Sequence, residues 1–311
     1  MLVRPGAHPR IHILGLGSIG TFTAHGLKQV SDPPAWHTPS SSSSSSSYKA
    51  CGDHINHLIV TVKSTQTVRA LRPLKPRLTQ SSTILFLQNG CGMVDEVNNH
   101  LFPDPATRPN YITGVISHGV TLTAPLHARH TGAFSISLGL VPREDARNPI
   151  RHQRPTPDEP KNHNNDDKQN RLQALLPLSP ILNATNHPYT TTHQIQLEKL
   201  AVNAFCNPVC ALHNAPNGIL LAPSGPIATL RREILSEISN IVLHLPEFQG
   251  VPGVCERFAP HRLEETVLGI LERTRWTVCS MVVDVRKGRE TEVKFINGYW
   301  VRRGREVGVA V

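Results

Sequence analysis

Residues 10–20 read RIHILGLGSIG, and no other segment restricts the fold of this chain as much. A short apolar run with β-branched residues stops at glycine and passes into TFTAHGLKQV, which reads as a helix. The glycines at 15, 17 and 20 form GxGxxG directly after the strand and at the helix start. In that setting each glycine has a separate task. The first permits the tight turn, the second lets backbone approach a pyrophosphate, and the third lets helix pack on strand. The helix N-terminus then offers free N–H groups and partial positive charge to phosphates. Gly15, Gly17, Ser18, Ile19 and Gly20 are therefore expected to bind a dinucleotide, with a structural glycine turn as the alternative.

The segments that follow keep an α/β rhythm, with one interruption. HLIVTVKS at 57–64 has a buried-strand pattern ending in Lys63. TVRALRPLKPRL suggests a helix, STILFLQNGCG a buried strand turning at Asn89-Gly90, and VDEVNNHLF another helix. NYITGVISHGVTLTAP and GAFSISLGLV read as further strands. The interruption lies at 30–56, where SDPPAWHTP precedes eight consecutive serines at 40–47. A dinucleotide-binding half should carry its second strand there, ending in a residue that meets the ribose hydroxyl or 2′-phosphate. No such strand is legible, and a serine run has the character of a linker. Residues 142–171 are also dominated by Pro, Asn and charges, and read as a polar linker or insertion.

From residue 172 the pattern is helical. HQIQLEKLAVNAFCNPVCALH and GPIATLRREILSEISNIVLHL each read as one helix, with Pro226 in the first turn of the second. HRLEETVLGILERTRWTVCSMVVDVRKG reads as a third, stopped by Gly288. The expected fold is therefore α/β: an N-terminal Rossmann-type dinucleotide-binding domain, residues 1–141, followed by an all-helical substrate domain, residues 172–311.

Composition narrows the function classes. The 311 residues hold 32 Lys and Arg against 23 Asp and Glu, a formal surplus of +9. Such a surplus is compatible with an anionic partner, a polymer or a small phosphate-bearing ligand, but the basic residues are scattered and aromatics make up only 5%. A basic nucleic-acid-binding module usually interleaves the two, so that reading is the weaker alternative. No apolar run approaches the ~20 residues of a membrane-spanning helix. Of the six cysteines none forms CxxC, and no signal peptide is legible, so a reduced, cytoplasmic protein is expected, with the mitochondrion as the alternative. Cys206 and Cys210 stand four apart but have no second pair to complete a metal site, and read as core thiols. No metal is expected. The partner expected is a small molecule rather than nucleic acid or membrane, with a homodimer left open.

The helix around residue 200 carries the most informative polar pattern. Lys199, Asn203 and Asn207 stand at i, i+4 and i+8, on one face over about 12 Å. Apolar residues surround them, and burying a lysine and two amides without partners would cost several kcal/mol. The stripe either faces solvent or lines a polar pocket, and spacing alone leaves both open. Pro208 removes a helical hydrogen bond to residue 204, and a kink is expected beside Asn207. Further on stand Ser280, Arg289, Thr291, Glu292 and Asn297-Gly298; taken alone, Thr291 and Glu292 read as turn or surface residues.

Five blocks, GLGSIG, IVTVKSTQT, LFLQNGCGM, KLAVNAFCNPVCALHNAPNG and CSMVVDVRKGRETEVKFINGYWV, occur in this order over most of the chain. Together they resemble the ketopantoate reductases (2-dehydropantoate 2-reductases). The resemblance implies NADPH-dependent reduction of 2-dehydropantoate to pantoate, a step of pantothenate synthesis. By motif, Lys199 would be the catalytic lysine and Glu292 its partner or an acceptor from the substrate hydroxyl. Lys63 and Asn89 would meet cofactor and substrate at the nicotinamide end. Asn203 and Asn207 would orient the substrate, Asn217 would support the pocket, and Ser280 would bind the carboxylate. Two departures accompany this likeness. The serine run stands where the second strand and the 2′-phosphate contact belong, and the likeness leads one to expect a further Pro- and Asn-containing segment with a terminal helix after GREVGVAV. A cofactor-impaired or non-catalytic relative is the corresponding alternative.

Overall fold

The computed structural model describes residues 10–30, 54–143 and 171–311. The serine run and nearly all of the polar insertion thus lie outside the described residues. Two compact units result. The first comprises Met1–Val62, Gln66–Gln88 and Val94–Tyr189, and the second Lys63–Thr65, Asn89–Met93 and Thr190–Val311.

In the first unit, β1 (Ile11–Leu14) leads through the glycine turn into α1 (Ser18–Lys28). Then come β2 (His57–Val60), α2 (Thr67–Leu71), β3 (Thr83–Phe86), α3 (Met93–His100) and β4 (Asn110–Ile116). An antiparallel ribbon of β5 (Gly119–Ala124) and β6 (His127–Gly132) precedes β7 (Ile136–Leu140), α4 (Arg171–Leu175) and β8 (Ala184–Asn186). The main sheet runs β1-β2-β3-β4-β7-β8. Its first four strands are parallel in register, His57 opposite Ile11 and Thr83 opposite His57, while β7 lies antiparallel to β4. β2 and β3 are buried along their whole length, as HLIV and TILF demand of parallel strands covered on both faces. Among the described residues β1 is an edge strand, paired only with β2.

Two local expectations are corrected in this unit. TVRALRPLKPRL is helical only to Leu71 and continues as a 3-10 turn over Arg72–Arg77, because Pro73 and Pro76 cannot donate to an α-helical ladder. Residues 172–188 are not purely helical. Leu172, Leu176 and Leu182 are fully buried in the sheet unit's core, and β8 pairs in parallel with β7. The long helix begins only at Tyr189.

The second unit is built on α5 (Tyr189–His213), α6 (Pro226–His244), α7 (Val254–Arg257), α8 (Pro260–Arg273), α9 (Ser280–Arg286) and α10 (Val293–Glu306). Leu197, Leu200, Ala201 and Phe205 of α5 pack in its core with Leu235 and Ile238 of α6 and Leu263 and Val267 of α8. Cys206 and Cys210 are buried in that core. The α5 helix runs unbroken through Pro208. A proline there leaves the carbonyl of Ala204 without its helical donor, and Asn297 Nδ2 supplies one at 2.9 Å.

The expected third helix is in fact two. α8 ends at Arg273, residues 274–279 leave the helix, and α9 starts at Ser280. The break is held by competing donors: Gly218 N bonds the carbonyl of Arg275 at 2.9 Å, and Asn217 N that of Thr277 at 3.0 Å. Thr274 Oγ1 also bonds back to the carbonyl of Ile270 at 2.7 Å. Among the described residues no helix is long and apolar enough to cross a membrane.

Candidate active site and dinucleotide loop

The glycine loop of the first unit divides its three glycines by physical cause. Gly15 has φ +105°, and an added Cβ would lie 2.8 Å from Val62 N. A Cβ on Gly20 would lie 1.8 Å from the carbonyl oxygen of Gly15 and 2.6 Å from Thr61 Oγ1, which itself donates to that carbonyl at 2.6 Å. Those two positions must be glycine for the turn to close. Gly17 is different: nothing lies within 4 Å of where its Cβ would stand. Its lack of a side chain leaves open space against backbone at the N-cap of α1, whose first N–H groups have no helical partner. A pyrophosphate fits that requirement. Ser18 and Ile19 form the first turn, where Ser18 Oγ accepts from Leu122 N at 3.1 Å and Ile19 packs against the sheet core.

The second unit gathers the ionisable residues. The turns after β2 and β3 contribute Lys63–Thr65 and Asn89–Met93 to it, so Lys63 and Asn89 stand with the helical residues. Gly90 has φ +93°, and a Cβ there would meet Phe295 Cβ at 2.7 Å, so this turn also needs glycine. Cys91 N bonds the carbonyl of Phe295 at 2.9 Å, and Gln196 Nε2 bonds that of Gly90 at 3.2 Å. Held in this way, Asn89 presents Oδ1 to Lys199 Nζ at 2.9 Å.

Lys199 is half-buried on α5. Removal from water lowers its pKa to about 8, against the opposing pull of Glu292 and Cys91. Glu292 is itself buried, at 5% exposure, which overturns its surface reading. Its Oε1 accepts from Ser64 N at 3.0 Å and Ser64 Oγ at 3.1 Å, and its Oε2 faces Lys63 Nζ at 3.3 Å. Lys63 makes a shorter pair, 2.6 Å, with Asp284 Oδ2. Desolvation opposes the charge on Lys63, but Glu292 and Asp284 together outweigh it and hold its pKa above the ordinary lysine value. Asp284 Oδ1 meets Arg289 at 3.0 Å.

Asn203 and Asn207 lie one and two turns beyond Lys199, and neither side chain bonds a described residue. Asn207 is 5% exposed, so the stripe does not face open solvent. Ser280 is exposed at the first position of α9. Asn217 differs from the other amides because both ends of its side chain are engaged. Nδ2 donates to Thr274 Oγ1 at 3.0 Å, while Oδ1 accepts from Cys206 Sγ at 3.4 Å and Cys210 Sγ at 3.8 Å. It braces the α5–α8 junction, with one Nδ2 donor in use. Asp284 and Ser64 were not singled out from sequence. The signal was there in part: Asp284 falls four residues after Ser280, on the same helix face. Among the described residues no cluster of His, Cys, Asp and Glu could hold a metal ion.

Comparison with known proteins shows the family and the fold. The family descriptions "Ketopantoate reductase PanE/ApbA" and "Ketopantoate reductase PanE/ApbA C terminal" match residues 31–143 and 192–311. The probable 2-dehydropantoate 2-reductase of Schizosaccharomyces pombe is 31% identical over 256 residues, covering 82% of this chain and 69% of that protein. The chain belongs to the ketopantoate reductase family. It is thereby one of a family of oxidoreductases. Solved structures share the fold: a dimeric ketopantoate reductase from Staphylococcus aureus superposes with a TM-score of 0.66 at 19% identity, covering 96% of this chain and 93% of the other. D-mandelate dehydrogenase with NADH and anilino(oxo)acetate superposes at 0.63 and 18% identity, covering 96% and 93%.

Proposed function

We propose that this chain reduces 2-dehydropantoate to (R)-pantoate with NADPH, in pantothenate synthesis. The observation that carries the reading is the state of Lys199: a half-buried ammonium, hydrogen-bonded to Asn89, with a pKa lowered to about 8. A general acid works best when its pKa lies near the working pH. When bound, the reduced nicotinamide would supply the hydride that the ketone carbon takes up. Lys199 Nζ hydrogen-bonds the ketone oxygen and donates a proton as charge develops there, so no free alkoxide forms. Glu292 keeps Lys199 protonated against the cost of burial.

Asn203 and Asn207, whose amides are unengaged by described residues, orient the substrate's oxygens. Ser280 binds the carboxylate, and Asn217 supports the pocket through its bonds to α8 and α5. Gly15, Gly17, Ser18, Ile19 and Gly20 hold the pyrophosphate, with Lys63 and Asn89 toward the nicotinamide end. The assembly proposed is a homodimer, in keeping with the dimeric Staphylococcus aureus relative, and the location proposed is the cytoplasm.

The test is oxidation of NADPH in the presence of 2-dehydropantoate, by this chain and by Lys199→Ala. Turnover in the parent and a loss of about 100-fold or more in the variant are expected. No turnover with either NADPH or NADH, and no cofactor-induced rise in Tm, would overturn the reading in favour of a cofactor-impaired relative.

A further inference from the structure

We propose that Asp284 is a positioning residue: by holding the ammonium of Lys63 it keeps the charge of Glu292 available to Lys199. The inference rests on the reading of Lys199 as the proton donor and adds a residue to it.

The cluster contains three cations, Lys63, Lys199 and Arg289, and two carboxylates, Asp284 and Glu292. Both acids are almost wholly buried, with side chains 3% and 6% exposed, so each needs a cation to remain ionised. How the cations are shared decides what Glu292 can do. Lys63 lies between the acids, but unequally: 2.6 Å from Asp284 Oδ2 and 3.3 Å from Glu292 Oε2. Arg289 fixes the other oxygen of Asp284 at 3.0 Å, and its backbone N–H bonds the Asp284 carbonyl at 2.9 Å. Asp284 is thereby held from two sides, in a position to draw Lys63 away from Glu292.

Glu292 is held by neutral donors on one oxygen, the N–H and hydroxyl of Ser64, which stabilise its charge without cancelling it. Its long contact with Lys63 leaves much of that charge to act on Lys199. The groups that act on Lys199 include Asn89, Cys91 and Glu292; those that act on Lys63 include Asp284 and Glu292. With Asp284 neutral, Glu292 becomes the one carboxylate left to Lys63 among the described residues. The two then close on each other, and Lys199 loses part of the field that keeps it protonated.

Lys199 ionisation can be read without cofactor or substrate, from the ε-carbon shift in lysine-13C-labelled protein, assigned through Lys199→Met. Asp284→Asn is expected to lower the Lys199 midpoint by about one pH unit. Removal of Asp284 charge alone would lower it too, so the decisive measurement is a cycle with Lys63→Met. If Asp284 acts through Lys63, Lys63→Met raises the midpoint more in the Asp284→Asn background than in the parent. Equal shifts in the two backgrounds would overturn the proposal. Should Asp284→Asn fail to fold, the same cycle is run with Asp284→Ser, and equal shifts from Lys63→Met in the two backgrounds overturn the proposal. A parent protein that titrates as expected but does not turn over 2-dehydropantoate would overturn the functional reading and leave this result standing.

Discussion

Lys199 Nζ and Asn89 Oδ1 stand 2.9 Å apart although 110 residues separate them in the chain. The amide is delivered by a glycine turn that Phe295 and Gln196 hold in place, and the ammonium by a buried helix. An acceptor on a charged amine favours its protonated form. Asn89→Ala is therefore expected to lower kcat by about 10- to 100-fold. It should also move the alkaline loss of activity below pH 8, since the donor must be protonated and its midpoint now lies near 8. The pH dependence of kcat for parent and variant checks both effects.

The glycine loop separates folding from binding. Gly20→Ala forces a methyl group onto the Gly15 carbonyl, at 1.8 Å, and should cost several kcal/mol or abolish folding. Gly17→Ala meets nothing within 4 Å and should leave Tm within a few degrees of the parent. The same methyl group fills the space a pyrophosphate would take, so NADPH should no longer raise the Tm of Gly17→Ala. Thermal shift with and without NADPH tests the pair.

Asn297 repairs the hydrogen bond that Pro208 removes. Asn297→Leu leaves the Ala204 carbonyl unpartnered in the core, at an expected cost of ~1–3 kcal/mol. In the double variant with Pro208→Ala the helix recovers its own donor, and the cost should fall. Urea denaturation of the four proteins gives the coupling directly; additive costs would show that Asn297 acts elsewhere.

His118 predicts an acid limit for the sheet unit. Its Nε2 bonds the carbonyl of Leu182 at 2.9 Å, while Nδ1 accepts from Phe134 N at 3.1 Å and faces His130 Nε2 at 3.0 Å. Nδ1 is thus needed as an acceptor. Burial lowers the pKa, and the bond to Leu182 only partly offsets this. The folded state then binds fewer protons than the unfolded one, and the contribution is complete above the unfolded value near 6.5 and lost as pH falls through the lower folded value. The Tm of His118→Phe should lie below that of the parent at pH 7, and the gap should narrow by pH 5.

Much of this was legible from local pattern. The strand–glycine–helix unit, the buried parallel strands and the two long helices each follow from spacing that repeats within a dozen residues. Lys199, Asn203 and Asn207 could be placed on one helix face for the same reason, but whether that face met water or a pocket could not. Glu292 looked like a surface acid because nothing near it in sequence is its partner. Its contacts, Lys63 and Ser64, lie 229 and 228 residues away. The single helix expected over 261–288 failed similarly, since the donors that open it, at Asn217 and Gly218, come from another element.

By itself the sequence determined most of the elements, the glycine loop and, through the resemblance of five blocks, the family. Periodicity and steric need at glycine act over short stretches of chain, so they can be read without coordinates. Only the tertiary structure decided which groups meet: that Lys63 belongs first to Asp284, that Glu292 is buried, and that Asn217 bonds residues of α5 and the end of α8. Burial and pairing set the protonation state of each group, and both depend on neighbours that distant parts of the chain bring together.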